Sequence, residues 1–443
     1  MPELRQALGK FGYKYRDTGV MPEGKNTDKQ TKGKLKDDWR WIGIEGELEV
    51  EPTGGKRGGE TVFGLKRPIS GAINTQPKAA EDDDSEAEIN LRTSNMHALN
   101  TILCGPPGTG KTFTTIDEAI QILDLKFYEE HKTERKSLKA RFDELVANNR
   151  IRFVTFHQSY SYEDFVEGLR AETDEDAGGQ IKYVVGAGVF KEICEDARKA
   201  IQSEEGVAWE TVGPSEVNSF VLIIDEINRG NVSRIFGELI TLIEPSKRLG
   251  APEALTVTLP YSKKPFGVPK NVYLIGTMNT ADKSLTGIDI ALRRRFIFKE
   301  MPPRPELLDK VIISGLSVGL MLRAMNQRIE VLLDRDHCLG HAYFLPLDKD
   351  PTIERLSAIF KQQVLPLLQE YFFEDWERIG WVLNDHRTGG EPFIKRGEQG
   401  SGSLTNLFGS KVASELPRDP RWTVNEAALT SIDSYMNIVG APE

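Results

Sequence analysis

Eight residues, Gly105-Pro106-Pro107-Gly108-Thr109-Gly110-Lys111-Thr112, follow the apolar run Thr101-Ile102-Leu103-Cys104 and precede a helical pattern. Glycines at this spacing let successive backbone N–H groups turn inward on an anion, a lysine supplies a mobile positive charge, and a following hydroxyl ligates a divalent cation. A helix that starts at the end of the loop adds the positive end of its dipole. Strand, loop and helix arrive in the order a phosphate-binding loop requires, which an incidental Gly/Pro turn does not supply. The expectation is that residues Gly105 to Thr112 cradle the phosphates of a nucleoside triphosphate. Lys111 then reaches the β and γ phosphates, and Thr112 sits on Mg2+.

Three further segments carry polar groups at places where such a loop needs them. Phe220-Val221-Leu222-Ile223-Ile224 delivers two adjacent carboxylates, Asp225 and Glu226, at its end. Neighbouring side chains at a strand end point apart, so Asp225 is assigned to the magnesium ion and Glu226 to polarising the attacking water. Val272-Tyr273-Leu274-Ile275-Gly276-Thr277-Met278 ends in Asn279, whose amide both donates and accepts. Asn279 is read as orienting the water and a γ-phosphate oxygen, with a helix-capping role as the alternative. Arg293-Arg294-Arg295 closes a helical segment that begins near Ser284. Guanidinium groups bind phosphate in bidentate fashion, so Arg294 and Arg295 are candidates for arginine fingers reaching a neighbouring subunit. Pairing with a helix C-terminus is the alternative.

Positioning these residues calls for a particular scaffold. Short apolar runs recur at Thr101 to Cys104, Ile151 to Phe156, Phe220 to Ile224, Val272 to Thr277 and Phe296 to Phe298, separated by helical patterns. Strands that alternate with helices form a parallel sheet covered on both faces, and ligands sit at its carboxyl edge. From about Pro303 the pattern turns helical. Leu307 to Leu333 and Ile353 to Phe373 carry apolar residues at three- and four-residue spacing, the signature of a smaller helical lid. Ahead of the sheet, residues 1–70 are basic between Lys25 and Arg40 and alternate through Trp39-Arg40-Trp41-Ile42-Gly43-Ile44, as a small β-containing segment would. An acidic linker follows over 71–95, containing Glu81-Asp82-Asp83-Asp84-Ser85-Glu86. The expected organisation is thus 1–70, linker 71–95, large α/β domain 96–302, lid 303–390, and a tail 391–443 to which the sequence assigns no role.

Composition narrows the function classes. The 443 residues carry a formal net charge of -10, which argues against wholesale coating of nucleic acid and leaves room for a local basic groove. No apolar run approaches the roughly 18 to 20 residues of a membrane span, and no secretory leader is visible, so a cytoplasmic protein is expected. Cys104, Cys194 and Cys338 are far apart and read as reduced thiols. His337, Cys338 and His341 fall short of the four ligands a structural zinc site needs.

Taken together, these residues resemble the AAA+ superfamily and, within it, the McrB family of modification-dependent restriction motors, over about residues 95 to 390. The most telling block is Met278-Asn279-Thr280-Ala281-Asp282-Lys283-Ser284, close to the family's Met-Asn-Thr-Ala-Asp-Arg-Ser, with Lys283 in place of the arginine. Asp225 to Asn231, Phe156 to Gly168 and Gly340-His341-Ala342-Tyr343-Phe344 also look like family blocks. The resemblance implies an AAA+ P-loop NTPase core with a helical lid. It further implies a homo-oligomeric ring, usually a hexamer, with Asn279 as first sensor and Arg294 or Arg295 acting in trans, positioned by Asp289. GTP is the implied substrate with ATP as the alternative, because the Asn-Lys-x-Asp guanine-reading motif of small GTPases does not occur here. The implied partners are DNA and an McrC-like nuclease subunit, and this chain shows no nuclease constellation of its own. Trp39, Trp41, Lys32, Lys34, Lys36 and Arg40 are candidates for an aromatic and basic nucleic-acid surface, with ordinary core tryptophans as the other reading. Two rival functions share parts of the pattern: a MoxR-like protein-remodelling ATPase and a non-hydrolysing nucleotide switch.

Overall fold

The computed structural model describes the backbone of residues 14–17, 39–43, 46–57 and 60–65, and in fuller detail 97–174, 180–202, 215, 218–282, 290–387, 389–397, 401–415 and 421–440. The chain divides into two compact units, Met1–Leu91 and Arg92–Glu443. The expected acidic linker, the basic positions Lys32, Lys34 and Lys36, the side chains of Trp39, Arg40 and Trp41, and Lys283, Ser284 and Asp289 lie outside the described residues.

The first unit contains a four-stranded antiparallel sheet in the order β1-β2-β3-β4, from β1 (Lys14–Asp17), β2 (Trp39–Gly43), β3 (Gly46–Arg57) and β4 (Glu60–Leu65). Trp41 stands opposite Tyr15 on one side and Leu48 on the other. The β3–β4 register slips between Pro52 and Lys56, where a proline without an N–H is followed by Gly54-Gly55.

The second unit is built on a five-stranded, wholly parallel sheet in the order β13-β5-β12-β9-β6. Its strands are β5 (Asn100–Gly105), β6 (Ile151–Thr155), β9 (Phe220–Asp225), β12 (Val272–Asn279) and β13 (Ile297–Glu300). The central runs are apolar without alternation because both faces are covered. Along β9, Val221 and Ile223 join Ile151 and Ile275 beneath helices Lys111–Leu123 and Arg135–Ala147, where they meet Ala119, Ile120, Leu138 and Phe142. Phe220, Leu222 and Ile224 point the other way, with Ile102 and Leu274, against Phe165, Phe190, Ile193 and Phe236. Period-two side-chain direction thus divides one apolar string between two cores.

Two short hairpins decorate this sheet: β7 (Glu167–Asp174) with β8 (Gln180–Ala187), and β10 (Val257–Thr258) with β11 (Pro265–Phe266). The first of these is absent from the sequence reading. Its Leu169, Ile181, Tyr183 and Val185 are exposed, so its strands lack the continuous apolar pattern that marked the others.

The lid departs from its expected outline in two ways. Residues 307–333 are not one helix: a turn at Pro305–Leu308 and the hairpin β14 (Ile312–Ile313) and β15 (Leu316–Ser317) precede helix Val318–Leu332. Ser314 and Gly315 form the tight turn with φ of 48° and 92°. Residues 353–371 run through a π-helical turn at Phe360–Val364 just ahead of Pro366, which cannot donate the next hydrogen bond. The stretch read as a tail also packs into the lid. β16 (Ile394–Gly397) pairs antiparallel with β17 (Arg421–Val424), and Phe393, Leu429, Tyr435 and Ile438 are buried with Met321, Leu322, Phe344 and Phe360 in one core. Among the described residues no helix is long and apolar enough to cross a membrane.

Candidate functional site

The parallel sheet brings the ends of β5, β9 and β12 together. Asn279 stands opposite Gly105 in the β12–β5 register, Thr155 stands opposite Asp225 across β6 and β9, and Thr280 N–H donates to Gly105 O at 3.1 Å. Every candidate on these three strands therefore lies at the carboxyl edge, around the loop Gly105-Thr112.

The loop takes its shape from glycine and from its own side chains. Gly108 and Gly110 have φ of 73° and 83°, in the left-handed region, and Gly110 opens helix Lys111–Leu123. Thr109 is buried and its hydroxyl donates to Pro106 O at 3.0 Å. Lys111 is 7% exposed, and its ammonium donates to Gly105 O at 2.9 Å and Pro106 O at 2.7 Å. Burial pulls its pKa down to about 8, against the opposing fields of Glu226, Cys104, Asp225 and Asp282. A triphosphate brought to this loop would meet a cation poorly compensated by its own protein.

Thr112 and the β9 carboxylates form one connected set. Thr112 Oγ1 donates to Asp225 Oδ1 at 3.0 Å, and Thr277 Oγ1 donates to the same oxygen at 2.5 Å. Thr277 in turn accepts the Glu226 N–H at 3.1 Å. Hydroxyl and carboxylate oxygens meeting in this way are a hard-donor set that fits Mg2+. Glu226 sits in the left-handed region, φ 54° and ψ 46°, a conformation that costs a non-glycine residue about 1–3 kcal/mol and that turns its side chain away from that of Asp225. Asn279 Nδ2 donates to Glu226 Oε1 at 2.7 Å, while Glu226 Oε2 faces Arg229 Nε at 3.3 Å in an ion-pair contact. Desolvation, with the charges of Asp225 and Asp282 adding, raises the Glu226 pKa, and Arg229 and Lys111 oppose the shift.

Three residues beyond the sequence candidates complete the arrangement. Thr277 ties both acids to β12, Asn228 Nδ2 donates to Asn279 O at 3.1 Å, and Arg229 bridges Glu226 to Asp282 at 3.4 Å. A signal was available for Thr277, a small hydroxyl residue within the apolar run that leads to Asn279. Asn228 and Arg229 follow the acids by two and three residues, and only the turn at Ile227–Arg229 swings them back. The lid also reaches the loop. Gly340 N–H donates to Pro107 O at 3.1 Å and Ala342 N–H to Gly108 O at 2.9 Å. The Tyr343 ring covers Gly108 so closely that a Cβ there would lie 2.6 Å from Cε2. His341 behind them is buried, accepts the Arg304 N–H at 3.2 Å through Nδ1, and is held below the usual histidine range chiefly by desolvation.

Arg294 and Arg295 are not at this edge. They immediately precede β13, whose Ile297 stands opposite Thr101, and Arg295 O accepts the Asn100 side chain at 2.8 Å. Asn100 and Gly105 are the two ends of β5, separated by roughly 16 Å at about 3.3 Å per residue. Arg294 is exposed, whereas Arg295 leans on Glu244 of its own chain at 3.7 Å.

Two family models match the chain. One described as AAA domain (dynein-related subfamily) covers residues 133–296, beginning after the phosphate loop, and one described as McrB, alpha-helical lid domain, covers 317–380. The chain is 35% identical over 294 residues to the type IV methyl-directed restriction enzyme EcoKMcrB subunit of Escherichia coli (strain K12), across 62% of this chain and 54% of that protein. It is 30% identical over 175 residues to the type II restriction enzyme BsuMI component YdiS of Bacillus subtilis (strain 168), across 35% and 50% respectively. The chain thus spans about half the length of these curated relatives.

Proposed function

We propose that the chain, similar in its sheet and lid to the McrB family of AAA+ proteins, is the nucleotide-hydrolysing motor subunit of a DNA restriction complex. It acts in a homo-oligomeric ring, a hexamer, moves DNA, and works with an McrC-like nuclease subunit. GTP is the proposed substrate, with ATP as the alternative, on the resemblance of the sequence blocks to the McrB family. The observation that carries the hydrolytic reading is the single hydrogen-bonded set of Thr112, Asp225, Thr277, Glu226 and Asn279 beside the phosphate loop.

In this reading the backbone N–H groups of Gly108 to Thr112 and the Lys111 ammonium bind the β and γ phosphates. Thr112 and Asp225 would hold Mg2+, which when bound would supply charge that offsets the phosphates. Glu226 takes the proton of the attacking water, and its raised pKa makes it a stronger base than an exposed glutamate. Asn279, already bonded to Glu226, holds the water in line with the γ phosphate. Arg294 and Arg295 stand at the far end of β5 from their own loop, so they serve an adjoining subunit. Each ring site then takes its loop, acids and sensor from one copy and its arginines from the next.

The test is hydrolysis by the purified chain with GTP and ATP, alone and with DNA and the neighbouring nuclease subunit. Turnover of GTP that rises on assembly supports the reading, and no turnover of either nucleotide under any of these conditions refutes it. The remodelling-chaperone alternative is not favoured, because the lid matches that of McrB. A non-hydrolysing switch would have no use for a Glu226 ordered by Asn279.

A further inference from the structure

Arg248 is fully buried, and among the described residues its guanidinium hydrogen-bonds to neutral acceptors and not to a carboxylate. Nε donates to Ile243 O at 2.9 Å, Nη1 to Pro269 O at 3.0 Å and Val272 O at 2.7 Å, and Nη2 to Asn100 Oδ1 at 2.6 Å. Burial draws its pKa down to about 10. A buried cation held by neutral acceptors is an expensive way to fill a core, and apolar residues of the same volume commonly match or exceed the stability of buried charges. What such a network supplies is fixed geometry.

The geometry it fixes is that of Asn100. This side chain is 2% exposed, and with its oxygen held by Arg248 its amide is aimed the other way, donating to Ile243 O at 2.9 Å and Arg295 O at 2.8 Å. Asn100 begins β5, the strand that ends in the phosphate loop, and Ile243 precedes Glu244, on which the Arg295 side chain leans. One carboxamide therefore joins the strand of a protomer's own phosphate loop to the turn that carries the arginines. Neither Asn100 nor Arg248 can touch nucleotide in its own protomer, since both lie at the amino edge of the sheet.

We propose that Asn100, oriented by Arg248, is a positioning residue for the trans-acting arginines, holding the turn at Arg293-Phe296 so that Arg294 and Arg295 address the adjoining subunit's nucleotide. It rests on the proposed trans role of those arginines. A second consequence is that any shift of β5 on nucleotide binding in one site passes directly to the arginines serving the next.

The discriminating variant is Asn100→Asp, which keeps the shape and the acceptor for Arg248 but removes both amide donors. A misplacement of about 1 Å at a reacting group lowers rate by about a hundredfold, so GTP turnover of the full chain should fall by that factor while binding of a fluorescent GTP analogue is unchanged. The decisive step mixes subunits. Lys111→Ala cannot grip phosphate but keeps its arginines, so in a mixed ring with Asn100→Asp it should restore turnover above the sum of the two alone. Arg294→Ala/Arg295→Ala mixed with Lys111→Ala is the parallel arm. Parental turnover by Asn100→Asp overturns the proposal. So does loss of turnover without restoration when the arginine variant is restored, because Asn100 then acts on its own site. If neither mixture is restored, the trans reading itself falls and the proposal with it. Arg248→Lys, whose ammonium cannot reach all four acceptors, carries the same arms if Asn100→Asp does not fold, with analogue binding reporting the fold.

Discussion

Replacing Thr277 with Val keeps the volume of the side chain and removes one hydroxyl that does two things. It donates to Asp225 Oδ1 at 2.5 Å and accepts the Glu226 N–H at 3.1 Å. Thr277 is 2% exposed, so water does not take over either bond without rearrangement. A hydrogen bond to a charged group contributes about 1.5–3 kcal/mol, and a buried donor left unpaired costs about 1–3 kcal/mol. Asp225 retains Thr112, so the larger part of the loss falls on the Glu226 backbone, which already occupies a strained left-handed conformation. A net destabilisation of about 2–4 kcal/mol follows, a fall in Tm of roughly 3–5 °C for a unit spanning Arg92–Glu443. Release of the Glu226 backbone relocates the carboxylate proposed to address the water, and displacement on the order of 1 Å would lower kcat by about a hundredfold. The assay pairs steady-state GTP hydrolysis with differential scanning fluorimetry on Thr277→Val and Thr277→Ser. Serine restores the hydroxyl and should recover most of both quantities. A valine variant with parental kcat, or one whose kcat loss serine fails to repair, would refute the claim that this hydroxyl orders the two acids.

Glu226→Gln should retain nucleotide binding and lose hydrolysis by about 10²–10⁴-fold, the range for removal of a general base, as read by filter binding against phosphate release. Lys111 carries a folded-state pKa of about 8, below the ordinary value of 10.5, so its proton is partly lost near pH 8 and regained when phosphates approach. Nucleotide binding is therefore expected to take up protons between about pH 8 and 10, seen as buffer-dependent enthalpy in calorimetry and absent in Lys111→Met. The same shift has the opposite sign for the nucleotide-free fold. The burden of burying the ammonium is full below pH 8 and lifts as pH rises from about 8 towards 10.5, so the parent should gain stability over that window relative to Lys111→Met. Gly340→Ala would place a Cβ 2.0 Å from Gly108 C. Overpacking of about 1–3 kcal/mol, if expressed at the loop, corresponds to a nucleotide affinity weaker by roughly five- to 150-fold, measurable by equilibrium titration, and an unchanged Kd would show that the lid segment does not shape the loop.

The sequence was most legible where one physical rule acts alone. Unbroken apolar strings such as Phe220 to Ile224 have no solvated face, so they had to be central strands of a covered sheet, and the five-strand core follows that reading. The hairpin β7–β8 was invisible because Leu169, Ile181, Tyr183 and Val185 face solvent, leaving no burial pattern to detect. The lid's boundary was misjudged for the reverse reason. Phe393, Leu429, Tyr435 and Ile438 are too scattered along the chain to show a period, and they declare themselves core only when packed against Met321 and Phe360.

A similar division runs through the site. Residue type and order alone determined the strand-loop-helix at Gly105 to Thr112, the paired acids at the end of β9 and the polar end of β12, because a strand feeding a glycine loop and a helix leaves local backbone geometry few choices. Tertiary structure decided which groups touch. Parallel registry, set by strand order rather than by sequence proximity, brings Thr277 and Asn279 onto Asp225 and Glu226 some fifty positions away. It also sends Arg294 and Arg295 to the opposite edge, where the Asn100 amide meets Arg295 O across 195 residues of chain and Arg248 holds Asn100 across 148. Contacts of that separation leave no periodic trace in a sequence, since the entropy of closing long loops is offset by the whole core and not by the residues that meet.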